Sequence, residues 1–123
     1  MYQFIIGRIR SFGYAFKGIW LLFSTQPNAQ VHLIGTIVIV GLGFYINLSP
    51  LEWCAICICI AMVLMAEAMN TAIEFLTDLV SPDYHPLAGK TKDVAAGGVL
   101  LAVIICGIVW GIIYLPKIWM LLS

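Results

Sequence analysis

The sequence has very little charge. Only 10% of its 123 residues are Asp, Glu, Lys or Arg, with 6 acidic side chains balancing 6 basic ones, where soluble domains carry about 25%. A net charge of zero excludes the bulk basic field on which nucleic-acid binding depends, so the placement of the few charges matters more than their sum. Other absences narrow the reading further. The first 24 residues interleave Arg8, Arg10 and Lys17 with apolar residues, lacking the compact basic head and cleavage site of a secretory signal. Cys54 and Cys57 form a C-x-x-C, but the second pair a zinc site needs is missing. With Cys59 and Cys106 they lie in apolar runs and are expected to be small packing residues. Ala88-Gly89-Lys90-Thr91 has the ending of a phosphate-binding loop, yet position 84 is Tyr where the motif demands Gly, and no strand precedes it.

What the chain does have is hydrophobic length. Hydrophobic residues make up 63% of it, well above the roughly 45–50% of soluble domains. Three apolar runs, 31–48, 51–70 and 94–115, each approach the ~20 residues needed to cross a ~30 Å hydrocarbon core. The pattern predicts an all-α membrane protein forming a single domain over 1–123, with membrane helices at 28–48, 51–80 and 91–122. Ahead of them, residues 1–24 repeat Phe4, Ile5, Ile9, Phe12, Phe16, Ile19, Trp20 and Phe23 at helical spacing, with Gln3, Arg8, Arg10 and Lys17 interrupting. That is the pattern of an amphipathic helix lying in the membrane surface. Pro27 separates it from the first membrane helix, near whose start stands His32, either a polar partner for another helix or an interfacial residue. Two prolines and a glycine mark 81–91 as a loop, which would leave Asp93 in the first turn of the last helix, a favourable place for a carboxylate. Tyr114, Lys117 and Trp119 suit the opposite interface. Five Lys or Arg side chains (Arg8, Arg10, Lys17, Lys90, Lys92) fall on one side and Lys117 alone on the other. This bias predicts a cytoplasmic amino terminus.

The polar residues of the second membrane helix are placed where they demand explanation. Glu67, Asn70, Glu74 and Asp78 are spaced three, four and four apart and share a helical stripe about 80° wide. A helix from 51 to 80 is longer than the hydrocarbon is thick, so its second half must emerge, and the stripe straddles the cytoplasmic interface. Ionisable groups there are functional by default. Carboxylates and lysines at one interface can hold a divalent cation between oxygen ligands and nucleotide phosphates. A partly desolvated carboxylate such as Glu67 has the character that a general base for an alcohol needs. A proton- or ion-translocating protein would instead spread acids through the bilayer depth; here Glu52 stands alone at the outer edge of the second span.

Glu67-x-x-Asn70-Thr71-Ala72-Ile73-Glu74, Asp78, His85 and Ala88-Gly89-Lys90-Thr91-Lys92-Asp93-x-Ala95-Ala96-Gly97 together resemble the small prokaryotic diacylglycerol kinase and undecaprenol kinase family. Gly13-Tyr14-Ala15-Phe16-Lys17-Gly18 and the three apolar helices extend the likeness over nearly the whole chain. The resemblance implies homotrimers with sites shared between subunits in the bacterial inner membrane, using ATP and Mg²⁺. It implies that Glu67 takes the proton of a lipid hydroxyl, that Asn70 and Glu74 serve nucleotide and metal, and that Lys92 binds phosphate. Asp93, Asp78, Tyr84, His85, Tyr14 and Arg10 would line the nucleotide pocket. Where the family usually carries a glutamate that helps Glu74 hold the metal, this chain has Gln26, which offers a carbonyl oxygen and no charge. Asn28 with His32, and the ending Leu115-Pro116-Lys117-Ile118-Trp119, look more like the undecaprenol branch than the diacylglycerol branch.

Overall fold

A computed structural model describes residues 1–123 as four helices: α1 (Tyr2–Thr25), α2 (Pro27–Tyr45), α3 (Pro50–Val80) and α4 (Pro86–Leu122). α2, α3 and α4 each open on a proline, whose fixed φ suits the first helical position and whose missing N–H would have had no partner there. The same chemistry ends α1, because the residue before a proline is pushed out of the helical region; Gln26 is extended, with φ −103° and ψ 109°. α3 has a full capping box. The Glu52 N–H donates to Ser49 Oγ at 3.3 Å and the Ser49 N–H donates to Glu52 Oε2 at 2.7 Å.

α4 begins earlier than the sequence reading placed it. The segment 86–90 is helical, so the loop shrinks to 81–85 and Asp93 lies two turns into α4, outside the first turn. Pro86 acts here as a helix starter, and His85 caps it by accepting the Leu87 N–H on Nδ1 at 3.1 Å. Pro116 sits within α4 near its end, where its missing N–H interrupts the ladder without stopping the helix.

Between α2 and α3 the chain turns through Asn47, which has φ 52°. The Leu48 N–H donates to the Gly43 carbonyl at 3.1 Å and the Asn47 N–H to the Phe44 carbonyl at 3.3 Å, the paired bonds of a Schellman ending. Leu48 folds back onto Gly43. α3 and α4 then run antiparallel in the most extensive interhelical contact of the chain, with Lys117–Glu52 (3.1 Å) paired at one end and Lys92–Asp78 at the other.

Only 14 of the 123 residues are buried, so the apolar majority of side chains faces outward. α2, α3 and α4 are each long and apolar enough to cross a membrane, which makes this a multi-pass membrane protein. With lipid on the outside, helix association rests on close packing and interhelical hydrogen bonds more than on burial from water. Two such bonds stand out. Tyr114 Oη donates to the Ile39 carbonyl at 2.8 Å, and Cys106 Sγ to the Cys59 carbonyl at 3.6 Å. Tyr114 is therefore buried between α4 and α2 rather than set in an interfacial belt. All four cysteines are free thiols, Cys59 and Cys106 buried and Cys54 and Cys57 exposed.

Gly43 is the closest approach in this packing. A Cβ there would lie 2.9 Å from Leu48 Cδ1, 2.9 Å from Trp53 Cη2 and 3.1 Å from Tyr114 Oη. Gly43→Ala is expected to lower stability by about 1–3 kcal/mol, read as an earlier unfolding transition in micelles; an unchanged transition would mean that Trp53 repacks freely.

Candidate active site

The four stripe residues all lie on α3, and their exposure changes steadily along it. Glu67 is 2% exposed and Asn70 is 4% exposed. Glu74 is half-buried, and the side chain of Asp78 is 63% exposed. About 11 residues at 1.5 Å each separate the ends of this series by roughly 16 Å. The stripe thus leads from a closed apolar setting to an open polar one.

At the buried end, Glu67 and Asn70 face a cleft of about 240 Å³ between α2, α3 and α4. Asn28 and His32 from α2 complete its polar side, while Ala96, Val99, Leu100 and Val103 from α4 make an apolar wall. His32 Nε2 stands 3.9 Å from Glu67 Oε2. Of the two readings open for His32, the structure takes the interhelical one. The signal was faint, since a lone histidine near a helix start says nothing about which helix it faces.

Asn70 links the two halves of the stripe. Its Nδ2 donates to Glu74 Oε1 at 2.9 Å, and its carbonyl oxygen is buried with no hydrogen-bond partner. A buried acceptor left unpaired costs about 1–3 kcal/mol. With the amide nitrogen committed to Glu74, that oxygen is held as an acceptor. Nowhere do three or more His, Cys, Asp or Glu side chains gather as a metal cage. The Glu74 carboxylate and the unpaired Asn70 amide oxygen are nevertheless hard oxygen donors, the kind that suit Mg²⁺, which keeps waters and takes its remaining ligands from phosphates. Gln26, at the α1–α2 junction, donates through Nε2 to Thr25 Oγ1 at 3.0 Å; no hydrogen bond joins it to Glu74.

At the exposed end, Asp78, Tyr84, His85 and Lys92 line one polar hollow of about 260 Å³ with Ser81, Asp83 and Gly89. The α3–α4 turn brings them together: Asp78 closes α3, His85 caps α4, and Lys92 reaches back to Asp78 from α4. Asp93, one residue on, is exposed and does not line this hollow. Arg10 and Tyr14 line a separate hollow on α1 with Gly13 and Lys17. α1 itself lies toward the same end of the molecule, where Ala15, Gly18 and Leu22 line a hollow shared with Ala68, Thr71 and Phe75 of α3. Within one chain most of the expected site residues therefore fall into three neighbourhoods, with Gln26 and Asp93 outside them.

This geometry accompanies a clear kinship. Residues 13–114 match the family described as prokaryotic diacylglycerol kinase. The chain belongs to that family. It is 38% identical over 109 residues to an undecaprenol kinase of Bacillus subtilis, covering 89% of each protein. It is 36% identical to a diacylglycerol kinase of Synechocystis, over 88% of this chain and 62% of that one. A diacylglycerol kinase of Escherichia coli is 25% identical, over 85% of this chain and 86% of the other.

The Asp78–Lys92 pair is exposed on both sides, at 63% and 38%, so solvent screens it. Asp78→Asn is expected to change stability by less than about 1 kcal/mol. A larger loss in thermal unfolding would make the pair a structural tie between α3 and α4.

Proposed function

We propose that this protein transfers the γ-phosphoryl group of ATP to the primary hydroxyl of a membrane lipid alcohol. The observation that carries the reading is the exposure gradient along α3. A lipid hydroxyl needs a base at an apolar surface, and a nucleotide needs cationic and polar groups in water; one helix supplies the first at Glu67 and, with α4, the second at Asp78 and Lys92. Family membership makes the protein a lipid kinase, with ATP as the co-substrate.

In this mechanism the apolar wall of the cleft takes the lipid chain and leaves its hydroxyl beside Glu67. The Glu67 carboxylate accepts the hydroxyl proton as the oxygen attacks the γ-phosphorus, and the bond from that phosphorus to the β–γ bridging oxygen breaks to release ADP. Asn70 and Glu74 would hold Mg²⁺, with Gln26 contributing a neutral oxygen. The ion supplies neutralisation of phosphate charge. Lys92 binds phosphate of the nucleotide, and Tyr84, His85, Asp78 and Asp93 surround the rest of it. The chain's own work is mainly positioning and electrostatics, as in other phosphoryl transfers.

The lipid we favour is undecaprenol, a preference that agrees with the Bacillus subtilis relative. The cleft's polar side offers only Asn28, His32, Glu67 and Asn70, which suits an alcohol with no other polar group. Diacylglycerol is the second reading, since relatives of both names match. A homotrimer is part of the proposal: Arg10 and Tyr14 on α1 stand apart from the α3–α4 hollow, and a neighbouring subunit can bring the parts together. The surface role of α1, exposing Phe4, Ile9, Phe12, Phe16 and Trp20, and a cytoplasmic site in the inner membrane complete it, the latter on the five-to-one charge bias.

The test presents both alcohols in the same micelles to purified protein. Polyprenyl phosphate is expected to predominate; phosphatidate as the main product would reverse the preference, and no lipid phosphate at all would reject the function. Glu67→Gln is expected to lower kcat by about 10²–10⁴-fold with ATP binding retained, and near wild-type turnover would remove Glu67 from the role of base. Gln26→Glu is expected to lower the Mg²⁺ concentration giving half-maximal activity, because a carboxylate replaces a neutral ligand. An unchanged metal titration would place Gln26 outside the metal site.

A further inference from the structure

Glu67 is a carboxylate in an awkward position. It is 2% exposed, and its side chain takes part in no hydrogen bond. A buried charge without a partner is unfavourable by several kcal/mol, and a base free to swing is a poor one, since misplacement by about 1 Å can reduce a rate 10²-fold. Some group must fix it. Asn70 is on the same cleft wall, but its amide nitrogen is committed to Glu74. Asn28 makes no hydrogen bond to Glu67. His32 is the cationic or neutral donor that the fold sets beside it, with Nε2 3.9 Å from Oε2. α2 holds the imidazole there from a different helix, 35 residues away in sequence.

We propose that His32 is the positioning residue of the catalytic base: its Nε2–H engages Glu67 Oε2, leaving Oε1 turned toward the lipid hydroxyl. The 3.9 Å separation is an electrostatic contact one small side-chain rotation longer than a hydrogen bond, and such contacts in ligand-free sites shorten when substrate is bound. The arrangement repeats the general logic of an activated nucleophile, in which the base that takes the proton is oriented by a third group. Here hydroxyl, Glu67 and His32 stand in that order, drawn from lipid, α3 and α2. Because His32 and Glu67 line the same cleft as Ala96, Val99, Leu100 and Val103, a lipid seated there lies against the pair. The effect falls on the chemical step. Nucleotide contacts at Lys92 and Asp78 are unaffected.

The inference rests on the lipid kinase reading, and three variants separate the two. His32→Phe keeps an aromatic ring and removes the donor; His32→Gln keeps an N–H at nearly the same reach; Glu67→Gln reports the base itself. Purified full-length proteins are compared in micelles of the preferred lipid, with the helical signal and unfolding midpoint recorded for each. The expected result is a kcat about ten- to a hundredfold lower in His32→Phe, KM for ATP unchanged within about twofold, and most of the kcat restored in His32→Gln. Wild-type kcat in His32→Phe overturns the inference, as does a His32→Gln protein no faster than His32→Phe. A loss confined to KM for ATP also overturns it. Inactivity of the wild-type protein toward both lipids, in contrast, defeats the kinase reading.

Discussion

The constraint on which the rest depends is a mismatch of lengths, for α3 has 31 residues and at 1.5 Å per residue extends roughly 46 Å, against about 30 Å of hydrocarbon. No tilt within the usual range hides so long a helix, so one end must leave the apolar core. Once Ser49 and Glu52 fix the start of α3 at one surface, Glu67 to Asp78 have to cross the other. The helix then converts sequence position into depth. Its buried carboxylate, its amide–carboxylate pair and its exposed aspartate lie in order along one line from lipid to water.

Packing holds that line in place with polar ties made to order for a setting without a hydrophobic drive between helices. Tyr114 to the Ile39 carbonyl and Lys117 to Glu52 secure the end away from the site. Gly43 admits Leu48, Trp53 and Tyr114 to the α2 backbone. Fixing α2 against α4 and α3 at that end sets the rotation of α2, and this rotation carries His32 toward Glu67 at the other. The site's geometry is thus governed partly by contacts about two to four helical turns away from it.

Much of this was legible from the residues. The length of α3 followed from Pro50 and from the polar loop after Val80, and the stripe from its three-four-four spacing. The early start of α4 is hidden because Pro82, Pro86 and Gly89 together carry the pattern of a loop, although proline is favoured at a helix's first position and His85 supplies its cap. The burial of Tyr114 is not visible in the pattern because an aromatic near a helix end resembles an interfacial anchor until its acceptor, the Ile39 carbonyl, is known. His32 beside Glu67 was undetermined for a deeper reason: the azimuth of one helix against another is fixed by tertiary packing, which no local pattern records. The separation of Glu67, Asp78 with Lys92, and Arg10 with Tyr14 into different hollows has the same origin.

The account holds that the lipid hydroxyl at the buried end of α3 and the nucleotide at its exposed end are bound together, so that the phosphoryl group passes directly between them. The measurement that tests this is the stereochemical course of transfer from ATP carrying an isotopically chiral γ-thiophosphate. One in-line displacement predicts inversion at phosphorus in the lipid product. Retention would mean two successive displacements through a phosphorylated protein group, and would contradict the arrangement of Glu67, Asn70, Glu74 and Asp78 as a single site.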